Sequence, residues 1–113
     1  MKSKILALSK NEDFKSLLNQ KKVYNKYVTI FFGILENKNN KKLNISFVTK
    51  KKIGNAVRRN KIKRRLRNMM NDASKKIELN LKYCYLLIAK ISVLHEPYEK
   101  IKETLFIDFR NIQ

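Results

Sequence analysis

The sequence predicts a small mixed α/β domain, an α+β sandwich in which helices pack against one sheet, with elements in the order helix, strands, helix, strand, helix. Three observations predict it. Apolar residues recur at helical spacing in three separate stretches. Between those stretches lie segments rich in β-branched and aromatic residues, or segments that alternate apolar with polar. Only two glycines and one proline occur among 113 residues, which leaves no room for long flexible linkers. Hydrophobic residues make up 43% of the chain, enough for a modest core, so residues 1–113 read as a single domain.

The elements follow in order. Ser9 or Asn11 can cap a first helix, Ser9 and Glu12 have capping-box spacing, and Glu12 and Asp13 fall in its first turn, where the helix dipole favours anions. Phe14, Leu17 and Leu18 then share one face. Residues 27–35 read as a strand, residues 36–42 as a polar turn or loop, and Leu43, Ile45 and Phe47 alternate with Asn44 and Ser46 in a second strand. These two strands are expected to form an antiparallel hairpin. Gly54-Asn55 supplies a turn and a cap before a long helix over residues 58–77, whose stripe is Ile62, Leu66, Met69 and Ala73. Residues 83–93 are almost continuously apolar, as in a strand buried on both faces beside a parallel neighbour. Pro97 suits the first turn of a last helix, lined by Ile101, Leu105, Phe109 and Ile112.

Charge points to the partner. Lysine and arginine number 27 against 9 acids, a net charge of +18. Residues 1–67 hold 20 basic and 3 acidic side chains, whereas residues 68–113 hold 7 and 6. A compact chain so charged repels itself unless a polyanion neutralises it; nucleic acid is the usual partner and an anionic membrane surface the other candidate. The first part carries that interaction and the second reads as scaffold. No apolar run approaches the ~20 residues of a membrane-spanning helix, the N-terminal apolar stretch is too short for a signal peptide, and a lone Cys84 permits no internal disulfide. A cytoplasmic protein is expected.

The long helix concentrates the charge. At 100° per residue, Asn60, Arg64, Arg67 and Asn68 project away from the apolar stripe, with Arg59 and Lys63 on one flank and Lys61 and Arg65 on the other. Like charges one turn apart repel, and no acid occurs before Asp72, so this is not the mixed-sign surface of an ordinary solvated helix. Arginine forks give bidentate phosphate contacts and stack on bases. Without a helix-turn-helix, zinc ligands or heptads, RNA fits better than duplex DNA. Catalytic groups are sparse. Glu12, Asp13 and Glu36 are the only acids in the basic segment, His95 is the single histidine, and no nucleophile–base pairing presents itself.

The run Lys51-Lys52-Ile53-Gly54-Asn55-Ala56-Val57-Arg58-Arg59-Asn60-Lys61, followed by basic residues to Arg67, resembles the signature of the bacterial ribonuclease P protein family, Lys-x-Gly-x-Ala-Val-x-Arg-Asn. Asn11-Glu12-Asp13-Phe14 is similar to that family's first-helix motif and Leu87-Ile88-Ala89-Lys90 to its last strand. The resemblance implies a fold similar to a domain of a small-subunit ribosomal protein, with a left-handed crossover. It implies a subunit of an RNA-based endonuclease that removes the 5′ leader from precursor tRNA, with catalysis by the RNA and Mg²⁺ used by that RNA; with no catalytic set in the sequence, the protein is expected to hold no catalytic residue and no tightly bound metal, a protein-bound metal at most assisting. Its partners would be the catalytic RNA subunit and the precursor tRNA. Carried over, Lys52, Arg59, Asn60, Lys61, Lys63, Arg64 and Arg67 contact RNA; Phe14, Tyr27 or Phe32, and Lys90 line the leader cleft. Three positions depart from the pattern: Lys61 and Lys90 stand where arginine is common, and Leu18 where an aromatic is common. A structural ribosomal RNA-binding protein of like charge is the alternative, separated from this reading by the Gly-Asn-Ala-Val-x-Arg-Asn run.

Overall fold

The computed structural model describes residues 5–8, 10–36 and 38–112. Strands β1 (Ile5–Leu6), β2 (Lys21–Tyr24), β3 (Val28–Gly33), β4 (Leu43–Thr49) and β5 (Cys84–Ala89) form one mixed sheet in the order β1-β4-β5-β3-β2. Helices α1 (Asn11–Leu18), α2 (Ala56–Lys76), α3 (Ser92–His95) and α4 (Tyr98–Asn111) surround it, and a single 3₁₀ turn at Lys51–Ile53 leads into α2. This is the predicted mixed class, with α1 adding a partial layer on the face opposite α2 and α4.

The expected hairpin between β3 and β4 does not exist. β5 lies between them, antiparallel to β3 with Ile30 opposite Leu87, and parallel to β4 with Phe47 opposite the same Leu87. The reason is burial: β5 is the most continuously apolar strand, and only the centre of the sheet covers both its faces and both its edges. The hairpin is instead β2–β3. Its turn is built by Asn25, whose Oδ1 accepts from the Tyr27 and Val28 amides at 2.7 and 3.0 Å, and whose Nδ2 donates to Asp108 of α4 at 2.7 Å. β2 is a polar, mostly exposed edge strand whose Lys21 and Lys22 discourage further pairing, so it carries no apolar signal in the sequence.

The pleat sorts side chains between two cores. Val28, Ile30, Phe32, Ile45, Phe47, Tyr85 and Leu87 face α2 and α4, where they join Ile62, Leu66, Met69, Ile101, Leu105 and Phe109 in the main core. Cys84 and Leu86, with Phe31, Val48 and Ile88 partly buried beside them, face the other way and meet Leu17 and Phe14 of α1. The cap of α1 proposed at Ser9 lies outside the described residues; Asn11 is the first helical residue and not its cap, and Lys10 at the cap makes no side-chain bond.

Candidate nucleic-acid interface

Helix α2 has one side fixed by packing. Ile62, Leu66, Met69, Met70 and Ala73 are fully buried, which locks the rotation of its 21 residues and sends the opposite row outward. Its start is fixed by Asn55, whose Oδ1 accepts from the Arg58 amide at 3.0 Å, and by Gly54, whose φ of 152° is strained for any residue with a side chain. The Arg58 stem also lies across Gly54: a Cβ there would sit 2.8 Å from Arg58 Cδ.

The predicted RNA-contacting residues fall largely together on the surface. Asn60, Lys61, Lys63, Arg64 and Arg67 are exposed along α2, Lys52 is exposed on the 3₁₀ turn, and Arg59 is half-buried. Arg67 also places its guanidinium over the Phe47 ring, 5.8 Å from the centroid, which restrains its fork. The neighbouring Arg65 differs. Its Nη2 donates to the Glu96 carbonyl at 3.0 Å, and its guanidinium stacks on Tyr98 at 5.6 Å, so it ties α2 to the segment before α4. Acids are spent elsewhere. The ion pairs among the described residues join Lys26 to Glu96, Lys38 to Asp13, and Lys102 to both Asp72 and Glu99; none involves an outward cation of α2.

On the α1 side, cross-strand register puts Tyr24, Thr29, Ile88 and Val48 in one row, with Tyr24 exposed and the other three half-buried. At its end a cavity of about 420 Å³ is lined by Thr29, Lys50, Lys52, Ile53, Ile88, Ala89, Lys90 and Ile91. Lys52 and Lys90, distant in sequence, thus meet at one apolar-floored, cationic hollow. Lys90 Nζ also donates to the Asn25 carbonyl at 2.6 Å, which braces the β2–β3 turn beside Tyr24.

Two of the aromatics expected at this cleft are not in it. Tyr27 and Phe32 are 1% and 8% exposed and belong to the main core, on the α2 and α4 face. Successive residues of a strand point to opposite faces, so the cleft-side aromatic of β3 is Phe31, with the 70%-exposed Tyr24 of β2 beside it. Sequence reasoning missed Phe31 because β3 is apolar on its two faces, which removes the phase of the period-two signal, and Tyr24 because the polar edge strand β2 was not read as a strand. Phe14 lies on the α1 side, half-buried against the small core.

Glu12, Asp13 and Glu36 line one hollow with Lys10 and Lys38, but Lys38 Nζ sits 2.6 Å from Asp13 Oδ2 and fills the place of a cation. Among the described residues no three His, Cys, Asp or Glu side chains are grouped to hold a metal ion. His95 closes α3 and is exposed. Burial pushes the Cys84 thiol up, with Lys38 pulling the other way, and burial raises the Tyr85 phenol far above its usual range. Both are buried structural groups. Among the described residues no helix is long and apolar enough to cross a membrane.

The sequence and the fold are similar to those of known proteins. The family model described as ribonuclease P matches residues 3–112. The chain belongs to the ribonuclease P protein family. A curated relative, the ribonuclease P protein component of Carboxydothermus hydrogenoformans, is 32% identical over 100 residues, spanning 87% of this chain and 83% of the relative. The ribonuclease P protein of Thermotoga maritima has the same fold, with a TM-score of 0.77 at 21% identity over 96% of this chain and 98% of that one. That of Staphylococcus aureus superposes with a TM-score of 0.72 at 25% identity, covering 88% and 87%.

Proposed function

We propose that this chain is the protein subunit of ribonuclease P, an RNA-based endonuclease that hydrolyses the 5′ leader from precursor tRNA. The outward row of α2 and the 3₁₀ turn bind the catalytic RNA subunit. The strip between α1 and the hollow at Lys52 and Lys90 holds the single-stranded leader, with Tyr24 and Phe31 as stacking surfaces, Phe14 bounding it, and the lysines on its phosphates. The observation that carries this reading is the uncompensated cation row of α2, set on a rotation fixed by five buried residues. A scaffold helix in the same protein, α4, mixes Glu99, Lys102, Glu103 and Arg110. Hydrolysis is assigned to the RNA, with Mg²⁺ held by RNA and substrate. The protein's part is to screen phosphate repulsion and to add leader contacts that raise substrate affinity. The test is reconstitution: precursor tRNA is incubated with protein, with in vitro transcribed ribonuclease P RNA, and with both, at low Mg²⁺. The expected result is cleavage at the leader junction by the mixture and none by the protein. Cleavage by repurified, RNA-free protein would refute the division of labour, and failure of the protein to bind the RNA would refute the assignment.

A further inference from the structure

The fold gathers a second set of cations that the sequence scatters. Lys41 and Lys42 follow β3, Lys75 and Lys76 end α2, and Lys82 precedes β5. The parallel register of Asn44 with Cys84 brings the starts of β4 and β5 side by side, at the end of the sheet opposite Gly54 and Lys90. Lys41 and Lys42 share a hollow of about 280 Å³ with Ser74 and Leu81, which places the loop against the end of α2. Lys41, Lys75, Lys76 and Lys82 are exposed and Lys42 is half-buried. Glu78 is the only acid in residues 74–82, and residues 38–44 hold none.

The plain alternative is a solvated helix end. The helix dipole accounts for Lys75 and Lys76, since cations are favoured at a C-terminus. It does not account for Lys41, Lys42 and Lys82, which come from other segments and raise the local repulsion. The protein's own ion pairing separates the two cases. Where lysines serve the scaffold they have partners: Lys102 lies 3.3 Å from Asp72 and 3.4 Å from Glu99, and Lys38 lies 2.6 Å from Asp13. No ion pair among the described residues involves the five lysines of this pole, a property they share with the outward row of α2. The two sets are also in line. Lys75 is eleven residues after Arg64, three helical turns, so it lies within about 20° of Arg64 on the wheel and roughly 16 Å further along the axis.

We infer that Lys41, Lys42, Lys75, Lys76 and Lys82 form a second phosphate-contacting surface for the RNA subunit, so that the RNA interface runs the whole length of α2 rather than ending at Asn68. The inference rests on the RNA reading of α2, and its test separates the two. Three full-length variants are compared with the unmodified protein: K75Q/K76Q, K41Q/K42Q/K82Q, and R64A/R67A. Each is titrated with in vitro transcribed ribonuclease P RNA over a range of salt concentrations and melted by circular dichroism. Each lysine set is expected to make the log–log salt slope shallower by about 1–2 units, because fewer phosphates are neutralised and fewer counterions released, and to weaken low-salt binding by about tenfold, with melting unchanged. Normal affinity and slope in both lysine variants, with R64A/R67A impaired, overturns this inference alone. Normal binding by R64A/R67A as well overturns the RNA reading itself. A lysine variant that melts early while its folded fraction binds normally assigns the cluster to the scaffold and also overturns the inference.

Discussion

Arg64 and Arg65 are adjacent in sequence and opposite in role, which makes them a sharp test of the helix rotation. Arg64 is exposed and its side chain makes no hydrogen bond, ion pair or ring contact among the described residues, whereas Arg65 is half-buried with its guanidinium on the Glu96 carbonyl and the Tyr98 ring. For Arg65→Ala the lost charged hydrogen bond is worth about 1.5–3 kcal/mol. Release of its buried, unpartnered Nε offsets part of that, leaving a net loss of about 1–2 kcal/mol. At about 2.1 cal/mol/K per residue, unfolding entropy for a chain of this length is ~0.24 kcal/mol/K, so Tm should fall by about 4–8 °C. Arg64→Ala should leave Tm within about 2 °C, as surface changes do, but weaken RNA binding by about 1–3 kcal/mol, roughly 5- to 150-fold. Arg64→Lys should lose much of that, because charge without the planar fork gives no bidentate contact. Leu66→Ala sets the scale for the core. Three buried carbons cost ~2.4 kcal/mol in transfer and the cavity adds more, less what flexible Met69 and Met70 recover by collapsing into it, for a total of about 3–4 kcal/mol. The assays are thermal melting and equilibrium binding to the RNA subunit at one salt concentration. If Arg64→Ala melts early, or Arg65→Ala binds weakly while fully folded, the rotation assigned to α2 is wrong.

Three further outcomes are expected. Gly54→Ala should cost about 1–3 kcal/mol, since φ of 152° is strained for alanine and the new Cβ meets Arg58, whereas Gly33→Ala meets only the flexible, exposed Gln20 side chain and should cost far less; comparative melts decide. Tyr24→Ala should weaken binding of precursor tRNA that carries a leader by about 5- to 100-fold, with leaderless tRNA, RNA-subunit affinity and Tm unchanged, because an exposed stacking surface is removed; equal weakening for leaderless tRNA would place Tyr24 outside the cleft. Burial holds the Cys84 thiol above its ordinary 9.0, so the folded state keeps a proton that the unfolded chain has lost. Stability conferred with the thiol protonated is therefore complete below about pH 8 and declines as pH rises through 9 and beyond. Denaturant melts of the unmodified protein and Cys84→Ala between pH 7 and 10 should show the difference between them shifting against the cysteine; a constant difference contradicts the burial argument.

The sequence made α2 legible because its 21 residues keep one helical phase: the stripe from Ile62 to Ala73 and the outward Asn60, Arg64 and Asn68 are where the wheel puts them. β5 was legible as a strand covered on both faces, and Pro97 and Ile101 as the start and inner face of the last helix. The sheet order was not. Neighbouring strands in sequence pair often, and nothing in residues 28–49 records that β5 will enter between β3 and β4. The phase of β3 was hidden for a related reason: with Ile30 and Phe32 on the α2 side and half-buried Phe31 on the α1 side, both faces are apolar, and Tyr27 and Phe32 were assigned to the wrong one. β2 was hidden because an edge strand is kept soluble by charge. Lys90 lines a hollow with Lys52, and its bond to Asn25 depends on tertiary proximity across 65 residues, which no local pattern encodes.

The central claim, that the outward face of α2 lies on the RNA subunit, is tested most directly by a tethered cleavage probe. Cys84 is buried, so a cysteine introduced on the surface is the reactive thiol. Asn68→Cys places the probe on the outward face of α2, and Glu103→Cys places it on exposed α4. With an iron chelate attached and radical chemistry initiated in the reconstituted complex, the probe at residue 68 should cut the ribonuclease P RNA at a few discrete positions. The probe at residue 103 should give little or no cutting. Strong, discrete cleavage from residue 103 with none from residue 68 would show that the RNA binds the other side of the molecule.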